Sequence, residues 1–248
     1  QSINLVAHSF GRKFVNSGDE VIISNIEHHA NIVPWQVLCD EKGAKLKVIP
    51  VADNGELIME EYDKLLTNKT RVVAVNHVSN ALGTINPVNE ITRKAHAVGA
   101  KVLIDGAQST PHMKVDVQDI GCDFYTFSGH KMYAPSGIGG MFGKMEVMEM
   151  MTPYVTGGDM IMQVTLEKTT YAKPPARFEA GTPPISQVIG LGAAIDYLNS
   201  VGMDKIFEYE KSLLDYGTQL LNDIEGVRII GNAKEKAAIL SIYLEAVH

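Results

Sequence analysis

The chain has 248 residues, two of them cysteine, and a formal net charge of −7, which disfavours a nucleic-acid-binding surface. That length suits one large domain, or one domain plus part of another. No apolar run approaches a membrane span and no signal peptide is evident, and Cys39 and Cys122 are too few for a disulfide framework, so a reduced, cytoplasmic setting is expected.

Along the chain, apolar segments alternate between two periods. Residues 2–10 (SINLVAHSF) carry helical spacing from the start. Short β-rich runs follow at 20–24, 45–50, 71–76, 101–104, 124–128 and 139–142, with helical patterns at 32–42, 59–66 and 88–98 between several of them. Turn signals separate them at Asn16-Ser17-Gly18-Asp19, Asp53-Asn54-Gly55 and Val98-Gly99-Ala100. Residues 153–184 are rich in Gly, Pro and Tyr and show little periodicity, a length at which a loop usually has a role. Helical spacing resumes at 185–198 and 203–224, and 227–230 and 237–244 read as two strands of another sheet. Strands alternating with helices predict an α/β fold, a mostly parallel sheet covered on both faces. The expected division is 1–195 for a large domain and 196–248 for a connecting helix and the start of a smaller one. Both ends read as cut, since the chain opens inside a helix and closes inside or just past a strand.

Ligands on such sheets sit beyond the carboxyl ends of the strands. Two residues at such ends carry complementary chemistry. Asp105 closes the run Lys101-Val102-Leu103-Ile104 and begins Asp105-Gly106-Ala107-Gln108; Lys131 closes Ser128-Gly129-His130-Lys131 after the next strand. A lysine forms an imine with an aldehyde, and a carboxylate keeps a pyridine nitrogen protonated, so the pair suits pyridoxal 5′-phosphate (PLP). Taken alone, Asp105 also suits a strand-end cap and Lys131 a surface lysine. Gln108 is placed to hydrogen-bond the ring oxygen or to serve as a turn residue. Ser128 and His130 flank the turn and offer a hydroxyl and an imidazole to a phosphate. In Glu27-His28-His29-Ala30-Asn31, adjacent histidines seldom share one metal ion, and no third and fourth ligand is in view. An imidazole stacked on an aromatic cofactor is the better use of His28, with His29 structural. Asn80, in His77-Val78-Ser79-Asn80, follows a strand and offers its amide to cofactor or substrate. Gly137-Ile138-Gly139-Gly140 matches neither a P-loop nor a dinucleotide fingerprint, which argues against phosphoryl and hydride transfer.

Together, Glu27-His28-His29-Ala30-Asn31-Ile32-Val33-Pro34-Trp35, His77-Val78-Ser79-Asn80, Asp105-Gly106-Ala107-Gln108, Ser128-Gly129-His130-Lys131 and Arg177-Phe178-Glu179-Ala180-Gly181-Thr182-Pro183 resemble, in order and spacing across nearly the whole chain, the class V aminotransferase-like, fold-type I PLP enzymes. Within these the chain is similar to the SufS-type cysteine desulfurases, also called selenocysteine lyases. The resemblance implies the large-domain fold, with a seven-stranded type of sheet and the start of a smaller α+β domain. It implies conversion of L-cysteine, or L-selenocysteine, to L-alanine, with sulfur passed to an enzyme persulfide for iron–sulfur cluster assembly. By it Lys131 links the cofactor and moves protons, His28 stacks on the ring and shuttles a proton, Asp105 pairs with the ring nitrogen and Gln108 with the phenolic oxygen. Ser128 and His130 bind phosphate, Asn80 lies near the cofactor and the substrate carboxylate, and Thr182 reaches the phosphate of the other subunit of a homodimer. A SufE- or SufU-like acceptor is the implied partner. The family's sulfur-accepting cysteine and carboxylate-binding arginine fall beyond residue 248, so this chain by itself is expected to be inactive as a desulfurase. The alternatives are another class V PLP enzyme or a catalytically silent PLP-fold binding protein.

Overall fold

Runs such as Val21-Ile22-Ile23 and Val72-Val73-Ala74-Val75 are apolar at every position, because both faces of the sheet they form are buried. The structure, a computed structural model, describes residues 1–245; the expected continuation through 246–248 lies outside the described residues. α1 (Ser2–Val6) passes through a π turn (Ala7–Gly11) into α2 (Arg12–Phe14). There follow β1 (Glu20–Ser24), α3 (Val33–Lys42), β2 (Lys45–Ile49), α4 (Met59–Leu65), β3 (Thr70–Asn76), α5 (Val88–Ala97), β4 (Lys101–Asp105), α6 (Val117–Ile120), β5 (Phe124–Ser128), β6 (Gly139–Gly143) and α7 (Met145–Met148). The later part holds β7 (Ile161–Val164), β8 (Thr169–Tyr171), α8 (Ile185–Val201), α9 (Met203–Asn222), β9 (Val227–Ile230) and β10 (Ser241–Leu244).

The main sheet has the order β2-β1-β3-β4-β5-β6. All its pairs are parallel except β5 with β6, so among the described residues the sheet is mostly parallel with six strands. Alternate side chains go to opposite faces. Val21, Ile23, Val72, Ala74, Leu103 and Phe124 pack with the N-terminal helix and α3. Ile22, Val73, Val75, Val102, Ile104 and Tyr125 pack with α4 and α5. α5 presents Val88, Ile91, Thr92 and Ala95 to that layer, at the three- and four-residue spacing of one helix face. Each fully buried aliphatic chain contributes about 1.5–3 kcal/mol.

The strands fall within a residue or two of their expected positions, with two exceptions. Residues 153–184 contain the small hairpin β7–β8. In the last pair, β10 starts only at Ser241; residues 237–240 serve another purpose described below. Residue 195, the expected domain division, lies inside the continuous helix α8. α9 is fastened to the turn after β4, where His112 Nδ1 sits 3.0 Å from both carboxylate oxygens of Glu210. No helix among the described residues is long and apolar enough to cross a membrane.

Candidate active site

The strand order reverses between β1 and β3, and the segments leaving β1, β3, β4 and β5 all emerge at the carboxyl end of the sheet. His28 follows β1, Asn80 follows β3, Asp105 ends β4 and Lys131 follows β5. β4 and β5 are direct neighbours, Asp105 pairing with Thr126.

Asp105 is buried, and Oδ1 accepts from the Ala107 N–H at 3.0 Å. This is the carboxylate's one hydrogen bond among the described residues, so the strand-end cap and a free oxygen coexist. Burial raises its pKa, while the Ala107 N–H and the charges of Lys131 and His28 pull it back down. Lys131 sits on a 3₁₀ turn (Gly129–Met132), half-buried, and its amine has neither hydrogen bond nor ion pair among the described residues. An unpaired acid oxygen and an unpaired amine at adjacent strand ends fit a ligand that offers an N–H to the acid and an electrophilic carbonyl carbon to the amine.

Ser128 Oγ and His130 Nδ1 meet at 2.8 Å. His28 is exposed, and its Nδ1 accepts from Ala30 N–H at 3.1 Å, which leaves Nε2 as the outward end of the ring. Gln108 is half-buried without a side-chain hydrogen bond, and Asn80 is exposed at the tip of its loop. Thr182 stands apart in the segment before α8, exposed and hydrogen-bonded to none of these.

Two groups not singled out in the sequence hold this site. Glu27 is buried, and its carboxylate accepts from Ser24 Oγ, from Asn31 Nδ2 at 2.7 Å and from the Asn76 N–H at 3.0 Å. Trp35 Nε1 donates to Asn31 Oδ1 at 2.9 Å. One carboxylate thus ties the ends of β1 and β3 to the turn carrying His28. Burial pushes the Glu27 pKa up to about 7 despite those three donors, and nearby Asp105 adds to the rise. Tyr125 bridges His77 Nδ1, at 2.9 Å, and the Ser109 hydroxyl beneath the Asp105 turn. A Cβ at Gly106 would lie 2.0 Å from the Tyr125 ring, so only glycine fits after the acid. His77 is kept neutral, its pKa held down to about 4 by burial. Farther along the chain, Arg177 donates to the carbonyls of Ala172, Glu149 and Met151, a buttress between those segments. A motif reader could have found Glu27 only by asking why an acid precedes His-His at the end of a fully apolar strand.

Burial pushes the Cys39 and Cys122 thiols up to about 11 and 12, which makes both poor nucleophiles.

A family model described as aminotransferase class-V matches residues 1–248. A cysteine desulfurase of Synechococcus elongatus is 53% identical over 99% of this chain and 39% of its own length. One of Dickeya dadantii is 51% identical over 96% of this chain and 58% of its own. The crystal structure of a cysteine desulfurase of Escherichia coli superposes with a TM-score of 0.96 at 35% identity, covering 100% of this chain and 61% of that one. The chain therefore spans between about two fifths and three fifths of these proteins.

Proposed function

The chain belongs to the class-V aminotransferase family, and on that premise we propose that it forms the cofactor-binding part of a PLP-dependent cysteine desulfurase. The observation that carries the reading is the placement, at the carboxyl ends of the neighbouring strands β4 and β5, of a buried carboxylate with one oxygen left free, Asp105, and the Lys131 amine, unpaired among the described residues. PLP supplies an aldehyde carbon and an electron-withdrawing pyridinium ring. Asp105 keeps the ring nitrogen protonated, Gln108 serves the phenolic oxygen, and His28 holds the ring face with Nε2 free to pass a proton. Ser128 and His130, already hydrogen-bonded to each other, hold the phosphate together. Lys131 would hold the cofactor through its aldehyde carbon and, when the substrate amine takes that place, would be the free amine positioned to move the α-carbon proton. Asn80 serves the substrate carboxylate and the adjacent cofactor edge.

The net reaction takes sulfur from L-cysteine, or selenium from L-selenocysteine, and leaves L-alanine. A thiolate of the protein attacks the substrate sulfur, the C–S bond breaks with its electron pair left on carbon, a proton replaces the sulfur, and the thiol becomes a persulfide. Cys39 and Cys122, buried and weakly acidic, do not suit that thiolate role, so the sulfur acceptor comes from elsewhere in the protein. Delivery to a SufE- or SufU-like protein for iron–sulfur assembly, in the cytoplasm, completes the reading. The division into a large domain, 1–195, and a smaller one starting at 196 belongs to the same proposal.

Borohydride treatment of the PLP-loaded protein followed by peptide mapping tests the central point. A pyridoxyl group fixed to Lys131 is expected; fixation to another lysine would overturn the assignment.

A homodimer with Thr182 completing the phosphate site of the second subunit is also proposed. Supporting it is the β7–β8 hairpin, which stands in solvent with Met162, Val164 and Leu166 exposed, Leu166 completely so. Leu166→Asp is expected to weaken dimerisation at least about tenfold, since each subunit would lose a buried leucine worth about 1.5–3 kcal/mol. Sedimentation velocity checks it: an undiminished dimer would remove the hairpin from the interface.

A further inference from the structure

The loop that carries Asn80 is held by a distant part of the chain. Within the loop, Ser79 Oγ accepts from the N–H groups of Ala81 and Leu82, at 3.3 and 3.2 Å. That local turn leaves the carbonyls of Ala81, Leu82 and Gly83 facing away from it. Two are taken up by the ten residues that join β9 to β10, and the third by Ser241, the first residue of β10. Ser241 Oγ donates to Ala81 O, Lys236 Nζ to Leu82 O at 2.6 Å, and Ala237 N–H to Gly83 O at 2.8 Å. In return the Ile85 N–H donates to Glu235 O at 3.0 Å, and Thr84 and Lys236 form a β-bridge. The approach is so close that a Cβ at Gly83, where φ is +76°, would lie 2.8 Å from Ala237 O. Lys236 is the centre of this grip. Its ammonium also donates to Gly231 O at 2.6 Å, closing its own loop, and it has no carboxylate partner among the described residues. A half-buried cation held only by carbonyls is costly to keep unless its hydrogen bonds fix something. Burial indeed lowers its pKa.

We propose that Lys236 is a positioning residue for Asn80: the β9–β10 connection clasps the β3–α5 loop and fixes the backbone from which the Asn80 amide projects into the active site. The seating of the C-terminal hairpin is thereby coupled to the substrate contact. This rests on the reading of Asn80 given above.

The test compares Lys236→Met, Lys236→Arg and Asn80→Ala in the intact PLP-loaded protein, with Ser241→Ala as a milder variant should Lys236→Met fail to fold. Hydrogen–deuterium exchange of the peptide spanning 79–85 is read alongside KM and kcat for L-cysteine. Lys236→Met is expected to speed exchange in that peptide at least tenfold and to raise KM at least fivefold with kcat within twofold, and Lys236→Arg to restore both. Unchanged exchange would overturn the proposal. So would faster exchange with an unchanged KM when Asn80→Ala itself raises KM. Faster exchange with KM unmoved by either substitution would uphold the clasp and sink the role of Asn80 instead.

Discussion

In the intact PLP-loaded protein, with its sulfur-accepting cysteine, Lys131→Ala is expected to reduce L-cysteine turnover by about a thousandfold or more, within the range by which a positioned proton-transfer group accelerates a reaction. The protein should otherwise be unharmed. Lys131 makes no hydrogen bond or ion pair among the described residues, so its truncation is a change of about 0.5 kcal/mol or less in stability. The loss would therefore be chemical. Two measurements separate the cases: alanine production from L-cysteine by the loaded protein, and the thermal midpoint of the cofactor-free protein. An inactive variant melting with the parent supports the assignment, and a variant keeping more than about a tenth of the parent rate would refute it. Asp105→Asn makes a poorer probe, because it disturbs a buried group that also caps its own turn at Ala107.

The second large effect concerns pH and Glu27. In the unfolded chain this carboxyl titrates near the ordinary 4.5; in the native state burial raises it to about 7. Between those values the folded protein keeps a proton that the unfolded chain has released. The stabilising contribution is thus complete below about pH 4.5 and is lost as pH rises through about 7. The full difference corresponds to about 3 kcal/mol. Glu27→Gln is neutral throughout and still offers a carbonyl to its donors. Denaturant titrations at pH 5 and pH 8 are expected to show the parent losing most of that difference, about 2 kcal/mol, across that interval, with the glutamine variant nearly flat. Any slope that remains belongs in part to Asp105, whose pKa is raised in the same direction. Equal slopes in both proteins would show that Glu27 does not hold the proton.

How much of this was legible depended on what each residue faces. β1, β3 and β4 were plain because burial on two faces demands apolar runs. The β7–β8 hairpin was not, because its side chains are largely exposed and no core imposes alternation on Ile161-Met162-Gln163-Val164 or Thr169-Thr170-Tyr171. The π turn at Ala7–Gly11 keeps nearly the apolar spacing of an α-helix and so is invisible to period counting. Residues 237–240 read as strand because apolar composition cannot distinguish pairing with a neighbouring strand from clasping a loop; Ala237 gives its N–H to Gly83 instead. Asp105 and Lys131 stood out by chemistry at strand ends. Glu27 and Lys236 did not, since their meaning lies in partners 49 and 154 residues away, the Asn76 N–H and the Leu82 carbonyl.

The acid and the amine are anchored by different means. Asp105 is set by long-range parallel pairing on both sides, with Asn76 and with Thr126. Lys131 rides on a local excursion whose mouth is clamped where Ser128 pairs with Gly139 and the Gly129 N–H reaches Ile138 O at 2.9 Å. The excursion can exchange side chains at exposed positions such as Ser136, but it cannot change its count of residues without carrying the amine away from a fixed acid. Drift and design alike are thereby confined to substitution in this stretch, and a single insertion or deletion between Gly129 and Ile138 would cost the pair its alignment while leaving every strand of the sheet intact.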